Sequence, residues 1–566
     1  MLRSLVGSEM CIRDRAGSLR ATAMNIMGLW RKMARLWKPG IVSSPRIKSN
    51  VKRRVTFFVV GFWLLATVAC NLPGIANSTP GTGSGGVDST PPPWAEAITA
   101  TANSIAATQN SALATLYAPT PTPSISSTPR PPILYYTQSG DTMGGLVARF
   151  GVREEDISSP KPLEKTGFLN PGQLLMIPDV LEGVDPMAKL LPDCEVVYSA
   201  SALDFNISEY VSQAIGYLNR YTEYVEDRWY SGADIIKKVA TENSINPRLL
   251  LALLEFQGHW VFGEPQNLAE ADYPLGRIIF SRQGLYRQMT WAVHEINRAY
   301  FGWRSGEVTT VIFTDGESRQ LNPQINAGTA ALLGVLARVY TPVEWAGSTY
   351  GTDSLPVRYE QMFGSPWQRA QNVEPLIPPD LTQPEMELPY AVDHAWCYTG
   401  GPHMVWGEDS PYAALDFAPP DEVKGCTPSL DWLTAPAAGL VVRSENGVVL
   451  LDLDGDGFEQ TGWTILFLHV GTEGRVDVGT WVEQDGKIGH PSCEGGSATG
   501  RHIHIARKFN GEWMLADGPI PFVLSGWQSF AGDAAYQGTI VRGDEIIRAR
   551  SYGSSETLIH RYSENP

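Results

Sequence analysis

Three apolar runs near the C-terminal end, Gly439-Leu-Val-Val-Arg-Ser444, Gly447-Val-Val-Leu-Leu-Asp-Leu453 and Trp463-Thr-Ile-Leu-Phe-Leu-His-Val470, follow one another with only Gly- and Asp-rich turns between them. Short apolar stretches bounded by such turns read as antiparallel β-structure. The nine residues Gly496-Ser-Ala-Thr-Gly-Arg-His-Ile-His504 lie just beyond. Side chains alternate along a strand, so a His-x-His pair sends both imidazoles to one face, which is how a transition-metal site is begun. The chain has nine histidines, and six of them fall between His394 and His504.

At 566 residues the chain is long enough for three or four domains. The fold class expected is multidomain α+β. A net charge of −16 argues against a nucleic-acid binder, which needs a basic face. Residues 1–23 read as an adapter artefact, because Gly7-Ser-Glu-Met-Cys-Ile-Arg-Asp-Arg15 matches a translated sequencing-adapter end, which moves the start to Met24 or Met27. Residues 24–70 read as a signal peptide, with a basic stretch (Lys48, Lys52, Arg53, Arg54) ahead of an apolar run at 55–69, too short for a span of ~20 residues. Its end, Leu65-Ala-Thr-Val-Ala-Cys70, resembles a bacterial lipobox, which implies lipidation at Cys70, export, and anchoring to the outer face of the cytoplasmic membrane. Residues 71–132, rich in Pro, Thr, Ser, Ala and Gly, bury too little to offset ordering entropy and read as a flexible linker.

Residues 133–180 hold Tyr135-Tyr-Thr-Gln-Ser-Gly-Asp-Thr-Met143, Leu146-Val-Ala-Arg-Phe-Gly-Val152 and Leu169-Asn-Pro-Gly-Gln-Leu-Leu-Met-Ile-Pro178. This resembles a LysM module, implying a strand–helix–helix–strand (βααβ) fold that binds N-acetylglucosamine-containing glycans, with the turn at Gly140, Asp141 and Thr142 at the groove. Residues 195–385 carry helical periodicity, with Asn246-Pro247 as a helix start. Leu250-Leu-Ala-Leu-Leu-Glu-Phe-Gln-Gly258 and Asn322-Pro-Gln-Ile-Asn-Ala-Gly328 resemble the lysozyme-like lytic transglycosylases. The family's general acid falls on Gln257, which cannot deliver a proton, and Glu255 sits two residues away on another helix face. A non-catalytic helical domain is therefore expected, with glycan cleavage there as the minor reading.

From residue 388 to 540, Gly400-Gly-Pro-His403, Ala413-Ala-Leu-Asp-Phe-Ala418, Phe467-Leu-His469, Gly489-His490 and the Gly496–His504 string together resemble the M23 (lysostaphin- or LytM-type) zinc metallopeptidases. The resemblance implies an antiparallel β-sheet domain holding one Zn2+ on His403, Asp416 and His504, with His469 and His502 as catalytic histidines. The family writes His-x3-Asp, whereas twelve residues separate His403 from Asp416 here. Residues 404–412 are accordingly read as an inserted loop, with Asp409 as the spare ligand candidate. His490 and His394 match no family ligand and read as surface or supporting histidines.

Asp452-Leu-Asp-Gly-Asp-Gly457 resembles the start of a calcium loop but lacks its bidentate Glu, since position twelve is Trp463. It reads as a hairpin turn. The cysteines at 194, 397, 426 and 493 suggest disulfides, with Cys426–Cys493 beside the site and Cys194–Cys397 joining two domains as one of three possible pairings. Residues 541–566 read as a tail. The function expected is a tethered zinc endopeptidase that cuts peptide bonds of peptidoglycan, targeted by glycan binding. The competing class is a non-enzymatic wall-binding activator of other hydrolases.

Overall fold

Residues 130–407, 410–420 and 425–563 are described by the computed structural model, and all belong to one compact unit. The adapter-like leader, the apolar run, Cys70, linker residues 71–129 and Asp409 lie outside them. The first block pairs β1 (Ile133–Tyr136) antiparallel with β2 (Leu174–Ile177), with α1 (Met143–Phe150) between them. Thr142 starts α1 by accepting a hydrogen bond from the Gly145 amide at 3.0 Å, and Gly151, at φ +66°, ends it. Tyr135, Leu146, Phe150, Leu175 and Ile177 make a small separate core. In place of the second helix of a βααβ fold stands a single 3-10 turn, Glu154–Asp156. Pro160 and Pro162 follow closely, and proline removes the amide donors a longer helix would need.

The middle block is helical, as its periodicity requires. The hairpin β3 (Thr222–Val225) and β4 (Arg228–Ser231) leads into α2 (Gly232–Asn243) and α3 (Pro247–Gly258). The Asn246 side chain accepts from the Arg248 amide at 3.0 Å and Pro247 opens α3, as its sequence anticipates. The 21-residue α4 (Leu285–Ser305) is followed by the hairpin β5 (Thr310–Ile312) and β6 (Ser318–Gln320) and by α5 (Ala327–Ala337). Helix α5 is apolar on every side and wholly buried, so it forms the centre of this block. Among the described residues no helix is long and apolar enough to cross a membrane.

The third block is built on a nine-stranded antiparallel sheet. Its strands are β7 (Ala395–His403), β8 (Ala414–Ala418), β10 (Gly439–Glu445), β11 (Val448–Asp452), β12 (Trp463–Leu468), β13 (Trp481–Val482), β15 (Ile503–Phe509), β16 (Glu512–Trp513) and β21 (Leu558–His560). They lie in the order β13-β10-β11-β12-β15-β8-β7-β21, with β16 beside β15. A two-stranded piece, β9 (Leu433–Thr434) with β14 (Lys487–Gly489), lies outside that order. So does a four-stranded sheet of β17 (Val523–Leu524), β18 (Trp527–Ala531), β19 (Gly538–Arg542) and β20 (Glu545–Arg548). Alternate residues of the central strands feed two cores. Val449, Leu451, Ile465 and Phe467 enter one, while Val448, Leu450, Leu466 and Leu468 enter another that Phe301 of α4 helps to cover. Burial of both faces is why these strands read as continuous apolar runs.

One boundary and one cysteine pairing differ from the sequence reading. The sheet does not end near residue 540, because β21 pairs with β7, Ile559 opposite Trp396. Cys194 and Cys397 do not form a disulfide; each is buried separately, whereas Cys426 and Cys493 are joined. The three blocks meet at Arg304 of α4. Its guanidinium contacts Asp193 at 3.2 Å, the Tyr300 hydroxyl at 2.6 Å, Glu512 at 3.0 Å and the Ser139 carbonyl at 2.9 Å.

Candidate metal centre

Strand register sets the site. His504 on β15 lies directly opposite Asp416 on β8, and Asp416 lies opposite Gly400 on β7, three residues before His403 at the strand end. On the other side of β15, His504 faces Leu468, the residue before His469. The close approach of β7 and β8 depends on glycine. A Cβ on Gly400 would stand 2.5 Å from the Asp416 carboxylate, and one on Gly401 2.5 Å from the Gln537 carbonyl.

Three donor atoms converge. His403 Nε2 is 3.0 Å from His504 Nδ1 and 3.3 Å from Asp416 Oδ1, and His504 Nδ1 is 3.4 Å from the same oxygen. In a tetrahedral zinc site with bonds of ~2.0–2.1 Å, ligand atoms stand ~3.3–3.4 Å apart. The triangle therefore fits. His403 Nδ1 donates to the Gly401 carbonyl at 2.8 Å, which leaves its Nε2 lone pair for the centre. A proton on His504 Nδ1 would satisfy His403 but leave the buried Asp416 Oδ1 without a hydrogen-bond partner. A cation at the centre satisfies all three atoms at once.

The electrostatics agree with a charged carboxylate at the centre. Burial alone would push the Asp416 carboxyl up, but the neighbouring His403 and His502 outweigh it and hold it well below the usual range. Burial likewise disfavours the imidazolium of His403, while Asp416 draws its pKa above the ordinary value. His504 is lowered, chiefly by burial.

Two more imidazoles border the triangle. His502 Nδ1 is 2.9 Å from the Gly500 carbonyl, and its Nε2 is 3.7 Å from Asp416 Oδ1. The chain leaves β12 through a left-handed turn at His469, φ +69°. The Ser492 amide and hydroxyl bond the His469 carbonyl at 2.7 and 2.9 Å. His469 Nδ1 is 3.1 Å from the Glu494 carbonyl, and burial, with His502 and His504 beside it, pushes its imidazole down to about 3. His469 is thus neutral at ordinary pH. Its ring centroid lies 4.5 Å from that of His502.

Sequence reasoning missed Tyr536, whose ring stacks on His403 at 4.1 Å. It arrives on the turn between β18 and β19, far along the chain, and no local pattern marks it. The insert after His403 is a packing element. Val405 and Trp406 join the core beneath β11 and β12, and the Trp406 amide donates to Ser410 Oγ at 3.0 Å. The disulfide Cys426–Cys493 ties the Gly425 segment, whose carbonyl accepts from the Arg501 amide, to the loop before His502. His490 lies against Trp432 at 3.9 Å with its Nδ1 2.9 Å from the Asp431 carbonyl, and His394 is an exposed residue ahead of β7.

The other candidates have local partners. Asp141 is buried, accepting from the Tyr135 hydroxyl at 2.7 Å and from Arg149 at 2.5 Å. Gly140, at φ +78°, lies against Arg304, leaving no room for a Cβ. Gly140 and Thr142 line a cavity of about 340 Å³ bounded also by Lys165, Phe168 and residues 513–515. Glu255 is buried and accepts from the Val261 and Phe262 amides at 2.9 and 3.0 Å, capping the turn after α3. Gln257 accepts from the Tyr340 hydroxyl at 2.8 Å. Asp452, Asp454 and Asp456 stand close together in the turn joining β11 to β12. Asp452 there accepts from the Asp454 and Gly457 amides, as in a hairpin loop.

A profile of the family "LasA, N-terminal domain" matches residues 189–377, the helical block expected from sequence to be lysozyme-like. The chain is homologous to Protease LasA of Pseudomonas aeruginosa strain PAO1, with 26% identity over 357 residues, covering 58% of this chain and 75% of the relative. Among solved structures, the M23 metalloprotease pseudoalterin from the deep sea aligns at 21% identity and a TM-score of 0.24, over 30% of this chain and 96% of its own. The catalytic domain of lysostaphin from Staphylococcus simulans aligns at 21% identity and a TM-score of 0.16, over 22% of this chain and 89% of its own.

Proposed function

We propose that this protein is a zinc-dependent endopeptidase that cuts peptide bonds of bacterial peptidoglycan. The observation that carries the reading is the triangle of His403 Nε2, Asp416 Oδ1 and His504 Nδ1, with edges of 3.0–3.4 Å. Three protein donors and an open fourth position are the ligand set of a catalytic rather than a structural zinc. Zinc held there supplies a Lewis acid that polarises a peptide carbonyl and brings the ionisation of water to ~pH 7.

The chain's own residues then divide the remaining work. Asp416 keeps its negative charge among three imidazoles, and the Gly401 carbonyl fixes the ring of His403. His502, with Nδ1 on the Gly500 carbonyl, keeps a bare Nε2 that can take a proton from the attacking water and, once protonated, stabilise charge developing on the carbonyl oxygen. His469, neutral and with Nδ1 against the Glu494 carbonyl, sits beside it to orient that water. Homology to Protease LasA supports peptide-bond cleavage. The LysM-like module supports a glycan-rich substrate, its sugar placed in the cavity lined by Gly140 and Thr142. Binding there would raise the local concentration of peptide stems. Envelope tethering through Cys70 belongs to the same proposal.

Zymography on purified peptidoglycan tests it, with His504→Ala and a chelator as controls. Clearing that is lost in both controls, with new amino termini released, is the expected result. Clearing that survives both overturns the assignment. An inert wild-type protein that nevertheless enhances another hydrolase supports the activator class instead.

A further inference from the structure

Residues 273–283 run from the end of the short helix Leu268–Asp272 to the start of α4, and nothing above uses them. The base of this loop is closed by the Gly284 amide donating to the Asp272 carbonyl at 2.9 Å. Its interior is held by Gln288, a fully buried side chain on α4. Gln288 Oε1 accepts from the Leu275 and Arg277 amides at 3.2 and 3.3 Å, and Nε2 donates to the Arg277 and Arg282 carbonyls at 2.9 and 2.8 Å. Leu275 is anchored in the core. The backbone is thus fixed on both sides of the tip.

That tip is Ile278, Ile279 and Phe280, exposed by 68, 42 and 85%. Three consecutive large apolar side chains presented to water by a pinned loop ask for an apolar environment elsewhere. The flanks specify which. Residues 273–287 contain Arg277, Arg282 and Arg287 and no acidic residue, within a chain of net charge −16. Among the described residues none of these arginines has a carboxylate partner, although Arg277 lies 5.8 Å over the Trp291 ring. Glu270 on the incoming helix is engaged by the Gln266 amide and Asn267.

We infer that this loop is a membrane-contacting element. Ile278, Ile279 and Phe280 enter the acyl edge of an anionic lipid surface, and Arg277, Arg282 and Arg287 meet its headgroup phosphates. An apolar tip with a basic shoulder is the chemistry of interfacial binding, in which buried area and attraction to anionic lipid add. A groove on a protein partner would instead be met by anchors spaced along a helix face or strand, not by three successive residues of one turn. The element does not depend on whether the metal centre cleaves peptide bonds.

The test uses the full chain with Cys11→Ser and Cys70→Ser, carrying an environment-sensitive fluorophore on Phe280→Cys or, as a control, on Glu317→Cys in the exposed β5–β6 turn. Phosphatidylglycerol vesicles should raise emission from position 280 several-fold, with quenching by brominated acyl chains, and leave position 317 silent. Replacing Arg277, Arg282 and Arg287 with Gln should abolish most of that rise. No rise at position 280, an equal rise with phosphatidylcholine vesicles, or an equal rise at position 317 overturns the inference. A rise with protein concentration in the absence of lipid would show self-association through the loop and overturns it as well.

Discussion

Gly400→Ala tests the metal centre without touching any proposed ligand. The added Cβ would lie 2.5 Å from Asp416 Oδ2, 2.9 Å from its Cγ and 3.0 Å from its Cβ. Ordinary carbon–oxygen contact needs ~3.4 Å, so the carboxylate must retreat by roughly 0.5–1 Å, more than a preorganised site tolerates. Gly400 and Asp416 are direct partners across β7 and β8, so neither can slide away without disturbing the ladder. Overpacking of this kind costs about 1–3 kcal/mol of stability. Displacing a metal ligand, like removing its supporting contacts, should weaken zinc binding by at least ~10–100-fold, or about 1.4–2.7 kcal/mol. Competition against a fluorescent zinc chelator measures the affinity, and circular dichroism checks the fold. A folded variant with wild-type zinc affinity would refute the triangle as the metal site.

Burial, followed by the charge of Asp193, pushes Glu374 up to about 7, although it accepts from the Cys194 amide at 3.0 Å. A carboxyl whose folded pKa is raised binds its proton more tightly when native, so the protein should lose stability as pH rises from about 4.5 to about 7. Glu374→Gln keeps the acceptor and should remove that slope, gaining roughly 2–3 kcal/mol at pH 8 and little at pH 4.5 in denaturant titrations; parallel curves would refute the cause. The disulfide Cys426–Cys493 closes a 67-residue separation. Cys493→Ser should cost up to about 4 kcal/mol by loop entropy, and a reducing agent should lower the melting temperature of the wild type but not of the variant.

The central sheet was legible because its apolar runs and the turns between them are local. Residues 439–470 carry both, and two cores draw on them. The convergence of His403, Asp416 and His504 was approached through family motifs, and the twelve-residue gap threatened it. The structure absorbs the gap by packing Val405 and Trp406 against β-strand residues and Phe301, a long-range solution that no local spacing announces. Strand β21 escaped notice because three residues are too few to show a period. Asp141 reads as a groove residue in sequence, yet the Arg149 that claims it sits in the last turn of α1, eight residues on. Pairing Cys194 with Cys397 failed for the same reason: a cysteine count constrains parity, not distance.

Arg304 sets the terms on which this chain can be rebuilt. One guanidinium answers a carbonyl from the first block, two carboxylates from the second and third, and a hydroxyl of its own helix. Excising either neighbouring block would strip a partner from a charge that is already out of water, and the remainder would inherit the deficit. Domain shuffling works on parts whose seams are solvent-filled and indifferent. Here the seam is an ionic knot, so a block of this chain can be moved only if the partners of Arg304 move with it or are replaced.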